Sequence, residues 1–115
     1  MSNVINFGGS KNYPVSNDAA GDVTVVDITS ISGYSAGSRL LVKALKLTTS
    51  SADAVELNLK EQDGALEYRQ FFTRDTPIII DFGPGWLLTS DKSFQVNKGS
   101  SYPMLGTVVA ELVSA

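Results

Sequence analysis

Short apolar runs, broken at roughly ten-residue intervals by Gly, Pro, Asn, Asp and Ser, fill this 115-residue chain from Asp22 onward. That rhythm is too short for helices and fits strands joined by tight turns. In Asp22–Ser30, Val23 and Val25 alternate with Thr24, Val26 and Ile28. Apolar side chains on both parities predict a strand covered on both sides. Arg39–Thr49 follows the loop Ile31–Ser38 and carries Lys43 and Lys46 on opposite parities. A regular strand would send those lysines to opposite faces, so a bulge near Ala44 is expected. A helical stripe through Leu40, Leu41, Ala44, Leu45 and Leu47 competes. The absence of a capping box and the β pattern on either side favour the strand.

Val55–Lys60 alternates most cleanly, with Val55, Leu57 and Leu59 opposed to Glu56, Asn58 and Lys60. Glu61-Gln-Asp-Gly64 reads as a hairpin turn with Gly64 at positive φ, and Ala65–Phe72 as the returning strand. Pro77 bars a central ladder at that point, before the β-branched run Ile78–Phe82. Gly83-Pro-Gly85 predicts a corner ahead of Trp86–Thr89, followed by Ser93–Val96 and Thr107–Val113. The sum is an all-β, eight-stranded antiparallel sandwich of jelly-roll type over residues 22–115. Residues 1–21 show no period of 2 or 3.6 and read as an irregular N-terminal arm with Ile5, Phe7 and Tyr13 as anchors. In the last strand Val108, Ala110 and Leu112 suit the core. Val109 and Val113 are left on the other face, for a subunit interface.

Chemistry is constrained by what the chain lacks. It has no histidine and no cysteine, which removes the commonest general base, thiol nucleophiles, disulfides and ordinary zinc sites. Ser10-Lys11 and Asp91-Lys-Ser93 are neighbours in sequence only, since adjacent strand residues face opposite ways. Of the carboxylates Glu56, Glu67, Asp75, Asp81 and Asp91, the first two fall on the polar face of the predicted hairpin beside Lys60 and Arg69. Cross-strand charge pairs explain them better than an acid/base pair. Asn17-Asp-Ala-Ala-Gly-Asp22 gathers oxygen ligands without the alternating acids of a calcium loop. No catalytic, cofactor-binding or metal-ligating residue is therefore assigned, and the chain reads as a non-enzyme.

A net charge of −3 has the wrong sign for wrapping nucleic acid. No stretch approaches the roughly 20 apolar residues that span a bilayer. The N-terminus lacks a basic region followed by an apolar one, so synthesis in a reducing cytoplasm is expected. Trp86, Tyr34, Tyr68 and Tyr102 could form a sugar-stacking platform, which makes a carbohydrate-binding module an alternative. Trp86, after a Gly-Pro-Gly corner, suits burial at the end of the sandwich. Tyr34 and Tyr102 lie in Gly/Ser-rich loops and, with Phe7 and Tyr13, form the predicted partner-contact set.

Thr76-Pro-Ile-Ile-Ile-Asp-Phe-Gly-Pro-Gly-Trp-Leu-Leu-Thr-Ser-Asp-Lys-Ser-Phe-Gln-Val96, followed by Gly106-Thr-Val-Val-Ala-Glu-Leu-Val113, resembles small structural proteins of tailed bacteriophages. The likeness is one of layout: an Ile/Leu-rich strand, a glycine corner, a leucine pair, a polar turn and a valine-rich closing strand. Similar stretches occur in capsid decoration (cement) proteins built as a single jelly roll and assembled as trimers. The resemblance covers about residues 22–113. It implies a homotrimer on the outer capsid surface of a virion, with the major capsid protein as partner, and no catalytic or ligand residues. A tail, baseplate or fibre component is the alternative within the same structural world.

Overall fold

The computed structural model describes residues 10–114. The described residues form eight strands: β1 (Ser10–Asn17), β2 (Gly21–Val26), β3 (Arg39–Thr48), β4 (Val55–Glu61), β5 (Tyr68–Phe72), β6 (Ile78–Leu87), β7 (Phe94–Lys98) and β8 (Met104–Val113). They form two four-stranded antiparallel sheets, ordered β1-β8-β3-β6 and β2-β7-β4-β5. From the chain ends inward, β1 pairs with β8, β2 with β7, β3 with β6 and β4 with β5. This is jelly-roll winding, and the all-β sandwich expected from sequence is the observed fold.

The core lies between the sheets. Leu40, Val42, Leu45 and Leu47 of β3 and Val108 and Ala110 of β8 face Leu57, Leu59, Phe94 and Val96 of the other sheet, all buried. Each large side chain removed from water in this way stabilises the fold by about 1.5–3 kcal/mol. The bulge expected near Ala44 is present. Both ladders of β3 shift register between Val42 and Ala44, so Lys43 is the extra residue and Leu45 and Leu47 return to the core.

Several boundaries move. Ser10–Asn17 is not arm but β1, an edge strand on β8, so the irregular arm at 1–21 is corrected from residue 10 onward. Only Val15 of β1 is buried, and an edge strand with Pro14 in its middle carries almost no alternation to read. β2 ends at Val26, and Ile28–Ser30 is a 3₁₀ turn whose N-cap Asp27 accepts from the Thr29 amide. β2 is also an edge strand; its two apolar parities come from a bulge between Thr24 and Val26, not from cover on both sides. In the β4–β5 turn the positive φ belongs to Asp63 (62°), not to Gly64.

The two strands predicted over 78–82 and 86–89 are one strand. Ala44 pairs with Asp81 and Val42 with Trp86, so Phe82–Gly85 loops out opposite Lys43 alone. Gly83 and Gly85 supply the positive φ (66° and 117°) that the excursion needs. The predicted corner is thus a wide bulge within β6.

Candidate interaction surface

The two outer faces of the sandwich differ in kind. On β2-β7-β4-β5 the outward parity carries Asp22 and Thr24, Gln95 and Asn97, Glu56, Asn58 and Lys60, and Arg69, with Phe71 exposed opposite Glu56 at the β5 edge. These groups satisfy one another. Gln95 donates to Thr24 (3.1 Å), Asn97 to Asp22 (2.8 Å) and Asn58 to Glu56 (3.0 Å). Lys60 pairs with Asp22 at 2.9 Å and Arg69 with Glu56 at 3.0 Å. The ladder closes tightly enough to bury Asn58 and Lys60. Hydrogen bonds from Asn97 and then Lys60 hold the Asp22 carboxyl below its ordinary pKa.

On β1-β8-β3-β6 the outward parity is mixed: Leu41, Ala44, Ile79, Leu87, Leu105 and Val109 stand among Arg39, Lys46, Thr48, Asp81, Thr107 and Glu111. Ile79 is 69% exposed and Leu105 57%, far from the usual place of such side chains. Val109 and Val113, assigned from sequence to a second face, lie here on β8. The bulge at Lys43 and the small side chain of Ala44 leave a shallow depression of about 390 Å³, lined also by Lys46, Ile79, Asp81 and Val109. Lys43 pairs with Glu111 at 2.9 Å. Among the described residues, Lys46 and Asp81 make no ion pair; Asp81 accepts only from the Gly83 amide, at 2.8 Å.

The predicted contact residues do not converge. Phe7 lies outside the described residues. Tyr13 points inward from β1 and, with Ile31, Gly33 and Leu112, lines a depression of about 250 Å³ at one end of the sandwich. Tyr34 is half-buried against the core, and its hydroxyl donates to Asp91 at 2.8 Å. The Gly37 amide donates to the same carboxylate at 2.8 Å. These two bonds, the Gly37 amide first, lower the Asp91 pKa, and that carboxylate raises the pKa of Tyr34.

Tyr102 must be withdrawn as a contact. It is 5% exposed, its ring meets Phe72 edge to face, and its hydroxyl donates to the Glu56 carbonyl at 2.9 Å. Burial pushes its pKa up to about 12. A Gly/Ser-rich flank signalled an exposed loop, yet the sandwich end needs an aromatic plug there.

Trp86 sits in a cluster at the β5–β6 side, 5.3 Å from Tyr68, 5.9 Å from Phe82 and 5.8 Å from Phe94. The rings of Tyr68 and Phe94 meet it edge to face and pack across the seam between the sheets, with Tyr68 partly exposed. Trp86 is half-buried at this side seam, whereas the sequence suggested burial at an end of the sandwich.

Unlike Asp81, the candidate groups of Lys92, Ser93 and Glu56 are otherwise engaged. Lys92 pairs with Asp63 at 3.0 Å, and Ser93 Oγ accepts from the Ile28 amide at 3.0 Å, so they form no Ser–Lys dyad. Glu56 faces Arg69, as expected, while Glu67 lies before β5 and its amide donates to the Leu59 carbonyl. Oxygens of Asn17 and Asp22 in the Asn17–Asp22 loop receive lysines. Lys98 Nζ donates to the Asn17 carbonyl (3.1 Å) and to its Oδ1 (3.2 Å), and Lys60 takes Asp22.

Lys98 is the residue that sequence reasoning passed over. It is 2% exposed and contacts no carboxylate; its remaining proton goes to the Tyr102 carbonyl at 2.6 Å, with that ring 4.4 Å away. Burial lowers its pKa, and Asp18 partly opposes the shift. The signal was available in the shared parity of Phe94, Val96 and Lys98. Comparison with protein-family models, curated proteins and solved structures finds no match to this chain.

Proposed function

We propose that this chain is a non-enzymatic structural protein of a phage virion, which binds the assembled capsid at its outer surface and stabilises it. The observation that carries the reading is the contrast between its two sheets. One face closes its polar groups on themselves and leaves Phe71 as its one exposed large apolar side chain among the described residues, while the other leaves Ile79, Leu87 and Leu105 in water. Several large apolar side chains left exposed on one face cost solubility and are kept where they meet a partner.

Jelly-roll winding is compatible with the role but does not select it, since shell proteins and lectins share it. The layout of Thr76–Val96 and Gly106–Val113 adds the phage context. A protein acting this way needs no reactive group. Many modest contacts, repeated over a lattice, hold a shell together by multivalency.

The test is location. Gold-labelled antibody against the chain, applied to purified phage particles, is expected to decorate the head evenly. Label confined to tails or fibres, or absent from particles, refutes the capsid assignment. Purified protein added to shells that lack it is expected to co-sediment and to raise their melting temperature.

A further inference from the structure

We infer that the outer face of β1-β8-β3-β6 binds a second copy of this chain, as a two-fold dimer centred near Ile79. This rests on the reading of that face as an assembly surface and names its occupant. Four positions frame the contact. Lys46 is paired across the sheet with Ile79, and Ala44 with Asp81, so Lys46 and Asp81 are diagonal neighbours on one face. Both are exposed, both lack an ion-pair partner among the described residues, and they carry opposite charges.

A partner surface of one sign would meet one of them and repel the other. A second copy meets both. The two-fold axis that carries Lys46 of one copy onto Asp81 of the other passes beside Ile79, the most exposed large apolar side chain described. Each dimer then holds two Lys46–Asp81 pairs flanking an Ile79–Ile79 contact. Because the strands on the two faces cross steeply about that diagonal axis, the packing is of the orthogonal sheet-on-sheet kind.

Self-complementarity within one patch is the condition for a closed, isologous pair. A three-fold ring, which the resemblance implies, needs two different patches that fit each other. Here the complementary charges stand on the same patch, one strand apart.

The experiment is sedimentation equilibrium of the full chain and of two charge reversals, Lys46→Asp and Asp81→Lys, with circular dichroism confirming the fold of each. The wild type is expected at twice its 12.2 kDa monomer mass. Each reversal alone places like charges together twice per dimer and should weaken association about tenfold or more. An equimolar mixture of the two variants restores both pairs and should associate as the wild type does. Ile79→Arg, at a position where the fold makes no demand, should leave a folded monomer.

A monomeric wild type at millimolar concentration overturns the inference, as does a trimer, or a mixture no tighter than its components. Shell binding measured on the same samples separates the two readings. A monomer that binds shells refutes the dimer alone, and a dimer that binds none refutes the proposed function.

Discussion

Replacing Lys98 with methionine tests whether a buried cation without a carboxylate partner can hold this sandwich together. The ammonium has three protons and three oxygens to receive them: the Asn17 carbonyl, Asn17 Oδ1 and the Tyr102 carbonyl. Those bonds join the end of β1 to the β7–β8 connection through the inward end of β7. Hydrogen bonds to a charged group contribute about 1.5–3 kcal/mol each, and the Tyr102 ring adds about 1–2 kcal/mol. Against this stands a desolvation cost of several kcal/mol for the ion. Methionine keeps the volume of the stem, so the difference isolates the head group. Methionine leaves the Asn17 and Tyr102 oxygens without their donor, so Lys98→Met should lower stability by about 2 kcal/mol although desolvation of the ammonium works against the wild type. In a domain of this size that is a fall in Tm of roughly 10 °C.

The pH dependence supplies an independent check. Burial depresses the Lys98 pKa, so the unfolded chain binds that proton more tightly than the folded one. Stability rises with pH wherever the unfolded state holds more protons. The wild type should therefore gain stability toward the ordinary lysine value, through the window below it, and the methionine variant should lack that gain. Urea denaturation of both proteins at neutral pH and at about pH 10 measures the gap, which is expected to widen. A variant as stable as the wild type at neutral pH would mean that desolvation outweighs the three bonds and the reasoning is wrong. A gap that narrows with pH would refute the sign.

Gly106→Ala should unfold the protein or cost at least about 3 kcal/mol in urea denaturation, because a Cβ there collides with the Lys46 carbonyl and the Leu47 backbone of β3. Tyr102→Phe should cost about 1 kcal/mol at neutral pH through loss of the bond to the Glu56 carbonyl. Its larger signature is alkaline: a tyrosine raised to about 12 keeps its proton when folded, so wild-type stability falls as pH climbs from about 10 to 12, and the phenylalanine variant should not show that fall. Asp22 and Asp91 have lowered pKa values, so their stabilisation is present above the ordinary carboxylate range and lost as pH drops through the folded values. Melting curves of Asp22→Asn with Asp91→Asn, taken between about pH 5 and 2, should show a flatter acid limb than the wild type. Trp86→Ala opens the seam between β5 and β6 and should cost about 3 kcal/mol, read by thermal unfolding.

What could be read from sequence follows from how far each signal reaches along the chain. The bulge in β3 was legible because Lys43 and Lys46, three residues apart, cannot share a face of a regular strand. The β4–β5 hairpin was legible because both strands and their turn are contiguous. β1 was not, because its cover comes from β8 at the far end of the chain, and an edge strand with one buried residue leaves no periodic mark. Shared parity with Phe94 and Val96 placed Lys98 inward, but neither its role nor that of Tyr102 was legible. Their partners, Glu56 and Asn17, are distant in sequence, so a plug and its pin look like a polar loop. The candidate surface shows the same division. Val109 and Val113 announced a second apolar face on β8 alone. That this face continues over Ala44 and Ile79 depends on β8 lying beside β3 and β3 beside β6. Local alternation decides which way each side chain points, whereas jelly-roll winding decides which strands stand side by side. A surface assembled from β3, β6 and β8 is therefore a property of the winding. The opposed charges of Lys46 and Asp81 become neighbours only once the winding has brought their strands together.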